Sequence, residues 1–167
     1  FTACQDSSKL VISDLQCEYL NAPLAIDNTT PHFGWKMTCG QNGTSSSAYQ
    51  LLVATELDKL NEEEADLWNS GKVSSDTSLG IAYGGKALTS RTQAYWKVRV
   101  WNQADVPSEW SKPASFGIGM LSENDWSAEA RFIGVEQADE KSQSAPLLRK
   151  SFTYEPSKGK ALLSVNS

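Results

Sequence analysis

The sequence holds a single histidine, His32, and lacks any apolar run near the roughly 20 residues that a membrane-crossing helix needs. One imidazole gives no material for a histidine-built metal site or a serine–histidine–aspartate triad; no metal or cofactor is nominated, and no catalytic residue. Positive charge is also short. Fifteen Lys and Arg stand against 20 Asp and Glu, for a formal net charge of −5, and the cations are scattered along the chain. No basic field draws phosphate groups, which removes nucleic acid as an expected partner. Cysteine is scarce and odd in number, so one of Cys4, Cys17 and Cys39 is unpaired or otherwise employed.

Alternating apolar and polar residues fill the space that helical periodicity leaves empty. Residues 9–13 and 15–20 alternate with period two until Asn21-Ala22-Pro23 breaks the run, giving a first strand or bent strand pair. Residues 33–38 alternate again and run into Asn42-Gly43, a hairpin turn signal. Residues 48–55 form a third run suited to a pleated, half-buried surface. Residues 57–66 read as a solvated turn or short helix. The consecutive Glu62, Glu63 and Glu64 point in different directions there and cannot flank one bond as a catalytic pair.

Short edge strands are expected in 67–73 and 80–83, with Gly84-Gly85 turning the chain. The run 95–102 separates most cleanly: Trp96, Val98 and Val100 on one face, Tyr95, Lys97, Arg99 and Trp101 on the other. A last strand follows at 114–119. Six or seven short strands separated by turns indicate an all-β, antiparallel sandwich. Cys17 shares the alternation phase of Leu15 and Tyr19, and Cys39 that of Trp35 and Met37, so both read as buried thiols rather than a disulfide.

Several local patterns carry resemblances. Lys97, Arg99 and Trp101 beside Trp110 resemble the cation–aromatic stack on the outer face of fibronectin-III domains, which places the sandwich in the fibronectin-III/immunoglobulin-like class. Tyr95 resembles a tyrosine corner, whose hydroxyl ties a crossover loop to the sheet. Phe1-Thr2-Ala3 before Cys4, and the polar residues after it, resemble a bacterial lipoprotein box; Cys4 is then either a lipidation site or an ordinary tail cysteine. The box implies export to the periplasm or outer surface, with a lipid as the membrane tie.

Read in order, residues 15–27, the step Pro31-His32-Phe33-Gly34-Trp35, and residues 48–55, 67–73 and 95–101 resemble the N-terminal segment of bacterial α-L-rhamnosidases. Residues 125–128, 132–134 and 145–152 resemble the opening of the next domain in that family, a β-sandwich. The resemblance implies a secreted glycoside hydrolase that removes terminal α-L-rhamnose by inversion. Its acidic residues lie in a helical barrel outside the matched segment, so no catalytic position carries over. The implied organisation is an N-terminal tail at 1–8, a sandwich at 9–120, and a linker with the first strands of an incomplete second β domain at 121–167. Those unfinished strands, at 132–135, 147–152 and 161–165, need cover from the first domain or another chain, which makes a dimer through them conceivable.

Trp68, Tyr83 and Trp126 are the candidate carbohydrate contacts, because flat aromatics cover the apolar face of a pyranose; packing at a strand edge or domain junction is the competing role. Two functions are then in view. One is a non-catalytic accessory segment that orients downstream domains of the same enzyme and contacts a rhamnose-containing glycan. The other is a stand-alone glycan-binding or adhesion module, since this kind of sandwich hosts many functions.

Overall fold

A computed structural model describes residues 9–40 and 45–129, together with residues 149, 151, 153 and 155. The chain divides into two units, Phe1–Ser127 and Ala128–Ser167, and the first contains all the regular structure described below. Cys4, the Asn42-Gly43 turn, the strands expected at 132–135 and 161–165, and most of 147–152 lie outside the described residues. Among the described residues, no helix is long and apolar enough to cross a membrane.

The first unit is an antiparallel β-sandwich. Strands β1 (Leu10–Cys17), β2 (His32–Cys39) and β6 (Ile81–Ala82) form one sheet in the order β1-β2-β6. The other sheet runs β4-β3-β7-β8, from β4 (Trp68–Asn69), β3 (Ser46–Ala54), β7 (Gln93–Asn102) and β8 (Ala114–Gly117), with β5 (Val73–Ser74) also paired to β3. The expected bent first strand is β1, whose register against β2 shifts between Ser13 and Gln16. Asp14 has a φ of 48° there, and its carboxylate accepts from Lys36 Nζ at 2.8 Å. This is how a bulge bends a strand while keeping its inward face toward the core.

The long pairing of β3 with β7 fixes which side chains enter the core. Tyr49↔Val100, Leu51↔Val98 and Val53↔Trp96 point inward, while Ala48↔Trp101, Gln50↔Arg99, Leu52↔Lys97 and Ala54↔Tyr95 point outward. Phe33 from β2 meets Trp96 with ring centroids 4.6 Å apart and Phe116 from β8 at 5.6 Å, so aromatic rings join the two sheets. Burying such rings supplies the apolar area that holds the sandwich closed.

Residues 57–66 form turns rather than a helix. Asp66 accepts from the Thr55 amide at 2.9 Å and the Thr55 hydroxyl at 2.6 Å, which closes the excursion at its base. Leu60 then folds back over Leu52 and Ala54 as a small second cluster, with Tyr95 and Trp110 packed against it. Cys17 is a buried thiol, its pKa pushed up to about 12 by burial and then by neighbouring Glu18. Cys39 is only half-buried. The two stand opposite Phe33 and Leu10 at far ends of the β1–β2 ladder, about 20 Å apart at roughly 3.3 Å per residue, too far to bridge each other.

Candidate functional site

The sequence-nominated aromatics fall in two places. Trp68 and Tyr83 come together, edge to face with centroids 5.4 Å apart, and both rings lie near Phe33. Tyr83 is only 6% exposed, and its hydroxyl donates to the Lys86 carbonyl at 2.8 Å and, more weakly, to the Leu67 carbonyl at 3.3 Å. Burial pushes its pKa up to about 12, so it stays protonated as a donor. Trp68 keeps a half-exposed edge on β4. Trp126 sits, half-buried, just after a single 3-10 turn at Glu123–Asp125.

Tyr83 also performs the loop-tying role expected of Tyr95. Among the described residues the Tyr95 hydroxyl makes no hydrogen bond, and its ring packs against Leu52, Ala54 and Leu60. The position at the strand opening suggested a corner. The partner carbonyls lie beside Tyr83 because the Gly84-Gly85 turn folds residue 86 back onto it.

The outer face of β7 carries the expected ladder. Arg99 Cζ lies 4.9 Å from the Trp101 ring centroid and 4.6 Å from that of Trp110; Lys97 Nζ caps Trp110 at 4.9 Å and Lys72 Nζ caps Trp101 at 4.9 Å. Arg99 further donates to Glu62 Oε1 at 2.7 Å and to Gln50 Oε1 at 2.8 Å. Glu62, one of the three consecutive glutamates, is therefore a structural ion-pair partner of Arg99. Lys72 also pairs with Asp105. Trp101, although in the outward phase, is only 8% exposed.

A third feature escaped sequence reasoning. Cys17 and Leu20 exchange both backbone hydrogen bonds at 3.0 Å around Glu18 (φ 51°) and Tyr19 (φ 61°), the pattern of a type I′ turn. Neither central residue is Gly, Asn or Asp, so no turn signal is visible, and each left-handed residue costs roughly 1–2 kcal/mol. The strain is offset at Glu18. Its Oε1 accepts from the His32 amide at 2.7 Å, faces His32 Nδ1 at 3.0 Å, and accepts from Asn28 Nδ2 at 3.0 Å. Burial pushes this carboxyl up, but the His32 and Asn28 hydrogen bonds outweigh it and hold the pKa below its usual value.

The chain after this turn is strapped to β8 and to the segment leaving the sandwich. Gly117 N donates to the Pro23 carbonyl at 2.9 Å, Ile26 N to the Gly117 carbonyl at 2.8 Å, and Gly119 N to the Ile26 carbonyl at 2.8 Å. A side chain at Gly117 would collide with the Leu24 carbonyl and the Gln93 amide, so close approach requires glycine there. Held this way, the 17–26 loop turns Tyr19 (64% exposed), Leu20 (55%) and Leu24 (66%) to solvent. Farther on, Asp125 accepts from the Ser122 amide at 2.8 Å, the Leu121 amide at 3.1 Å and the Ser90 hydroxyl, while Arg91 Nη2 donates to its carbonyl at 2.9 Å. The exit from the sandwich is thus fixed to Ser90 and Arg91, and touches the loop at Gly119.

Comparison with known proteins bears on these features. The family described as Rha78A-like, N-terminal immunoglobulin domain matches residues 12–122. An α-L-rhamnosidase of Formosa agariphila is 44% identical over 135 residues, covering 78% of this chain and 14% of that protein. One from Streptomyces avermitilis is 38% identical, covering 73% of this chain and 12% of its own length. The crystal structure of the S. avermitilis α-L-rhamnosidase complexed with L-rhamnose superposes with a TM-score of 0.68 at 38% identity, over 71% of this chain and 11% of that one. The α-L-rhamnosidase structure from Dictyoglumus thermophilum gives 0.66 at 35% identity, over 69% and 13%. The chain therefore spans about one seventh of the curated relatives it matches.

Proposed function

Because the chain belongs to the Rha78A-like, N-terminal immunoglobulin domain family, we propose that it is a non-catalytic accessory segment of an α-L-rhamnosidase that braces or orients the domains following it. The observation that carries this reading is the balance of the match: a sandwich that closes its own core aligns with only a small part of each relative. On its outer face Arg99 is held by Glu62 and Gln50, in keeping with a bracing role. The tryptophan–arginine ladder supports a fibronectin-III-type variant of the immunoglobulin-like sandwich.

The finer parts of the reading extend beyond the family. A second β domain would begin after about residue 121, the parent enzyme would act on terminal α-L-rhamnose, and export with a lipid on Cys4 would place it at the cell surface. The half-exposed edges of Trp68 and Trp126 support a subsidiary contact with a rhamnose-containing glycan, which is also what a stand-alone binding module would use. The test is hydrolysis of p-nitrophenyl α-L-rhamnoside by this chain, by the complete reading frame, and by that frame lacking residues 1–127, with glycan-array binding of this chain alone. The accessory reading expects activity in the complete protein, less activity or a lower Tm without 1–127, and none in this chain. Hydrolysis by this chain overturns it, and glycan binding that needs no other domain favours the module.

A further inference from the structure

We propose that the 17–26 loop is a preformed docking face for an apolar surface of another domain on the same polypeptide, beyond Ser167. The inference rests on the accessory reading and assigns the contact surface. Three large apolar side chains stand exposed along one loop, Tyr19, Leu20 and Leu24, with exposed Asn21 and Asp27 at its margin. The loop's backbone is held by the Glu18–His32 bonds and by the Pro23, Ile26 and Gly119 strap, so little ordering entropy remains to be lost on contact. Left-handed Glu18, Tyr19 and Ala22 keep a strained path that a freely chosen surface loop would avoid.

The size of the patch selects the occupant. The three side chains together expose on the order of 300 Å² of apolar surface, the size of the largest patch a typical monomer carries, which is often functional. A stable dimer of separate chains needs about 800 Å² from each partner, whereas contacts between domains of one chain begin near about 600 Å² in total. Tethering supplies the effective concentration that a small patch needs. The exit, bonded to the end of the loop at Gly119 and held onward by Ser90 and Arg91, gives such a tether its origin, and the relatives are about seven times as long as the segment matched here. The partner face is accordingly one of aliphatic or aromatic side chains on a domain of that longer chain.

The experiment is photo-crosslinking in the complete reading frame with Leu24→p-benzoylphenylalanine, using Val106→p-benzoylphenylalanine, at another exposed apolar position, as the control. The expected result is an intramolecular cross-link from position 24 to a residue beyond Ser167, none from 106, and loss of the position-24 cross-link when Leu20→Asp is added. Circular dichroism of L20D in this chain alone should show an unchanged fold. A cross-link to a second copy, one confined to residues 1–167, no cross-link from 24, or a reading frame that stops at Ser167 overturns the proposal. Removal of residues 1–127 without effect on activity or Tm would instead sink the bracing role and leave the cross-linking result standing.

Discussion

The two faces of β7 are built from the same ten residues and held by different forces. Inward, Trp96, Val98 and Val100 are fully buried and packed on Phe33, Leu51 and Val53, so their contribution comes from apolar area and tight packing. Outward, Lys97, Arg99 and Trp101 are held by cation–aromatic stacking and by hydrogen bonds to Gln50 and Glu62. The inner face stabilises without needing exact directions, whereas the outer face depends on each partner being in place. Truncations on the inner face should therefore cost far more, and salt or pH should reach only the charged exterior.

Trp96→Ala should have the largest effect, about 3–5 kcal/mol by urea unfolding, because it opens a large cavity where both sheets meet. A loss below about 1 kcal/mol would mean that the core does not centre there. Gly117→Ala tests whether the strap is packed as tightly as the core. The new methyl must push aside the Leu24 carbonyl or Gln93, for a cost of about 1–3 kcal/mol and faster amide exchange at Ile26. Arg99→Met keeps most of the stem but strips the charge from Glu62, Gln50, Trp101 and Trp110, and should cost about 1–2 kcal/mol, the largest effect among the charged side chains of the outer face.

Acid should reach the exterior through Glu18. Its folded pKa lies below the ordinary 4.5, so below that pH the unfolded chain binds more protons than the folded one. The stability it contributes is complete above about pH 4.5 and is lost as pH falls through the lower folded value. Asp66, also held low because the Thr55 bonds outweigh its burial, acts in the same sense below its ordinary 3.8. Glu18→Gln should flatten the acid limb of the stability curve; an unchanged limb would show that the carboxylate is not the strap on the strained turn. The smallest effect belongs to Lys72→Ala, which removes one exposed pair with Asp105 and one cap on Trp101. It should cost below about 1 kcal/mol and shrink further in high salt, as measured by thermal unfolding at two ionic strengths.

The inner and outer faces of β7 were both legible in the sequence, because period-two alternation is a local property of the chain. The tryptophan–arginine ladder was legible for the same reason, once Trp110 was placed beside it. The turn at Glu18 and Tyr19 was not. Nothing in those residue types marks positive φ, and the compensation comes from His32, 14 residues away. Tyr95 was nominated to tie a loop by its place at a strand opening, yet Tyr83 does so, since a hydroxyl bonds whichever carbonyl the neighbouring turn delivers. The candidate contacts Trp68, Tyr83 and Trp126 were chosen by ring chemistry, which carries no information on how much of each ring stays wet.

By itself, the sequence determined an all-β chain, the strands, and the face on which most strand side chains fall, because backbone geometry alternates side chains at every step. Tertiary structure alone decided which of those faces reach solvent. Trp101 points outward yet is covered by the charged ends of Arg99 and Lys72, and Tyr83 is sealed under its own turn. Tyr19, Leu20 and Leu24, apolar by type, stand in water because the strap from β8 and the bonds at Glu18 hold them there. Exposure depends on what distant segments lay across a surface, and no local pattern encodes that.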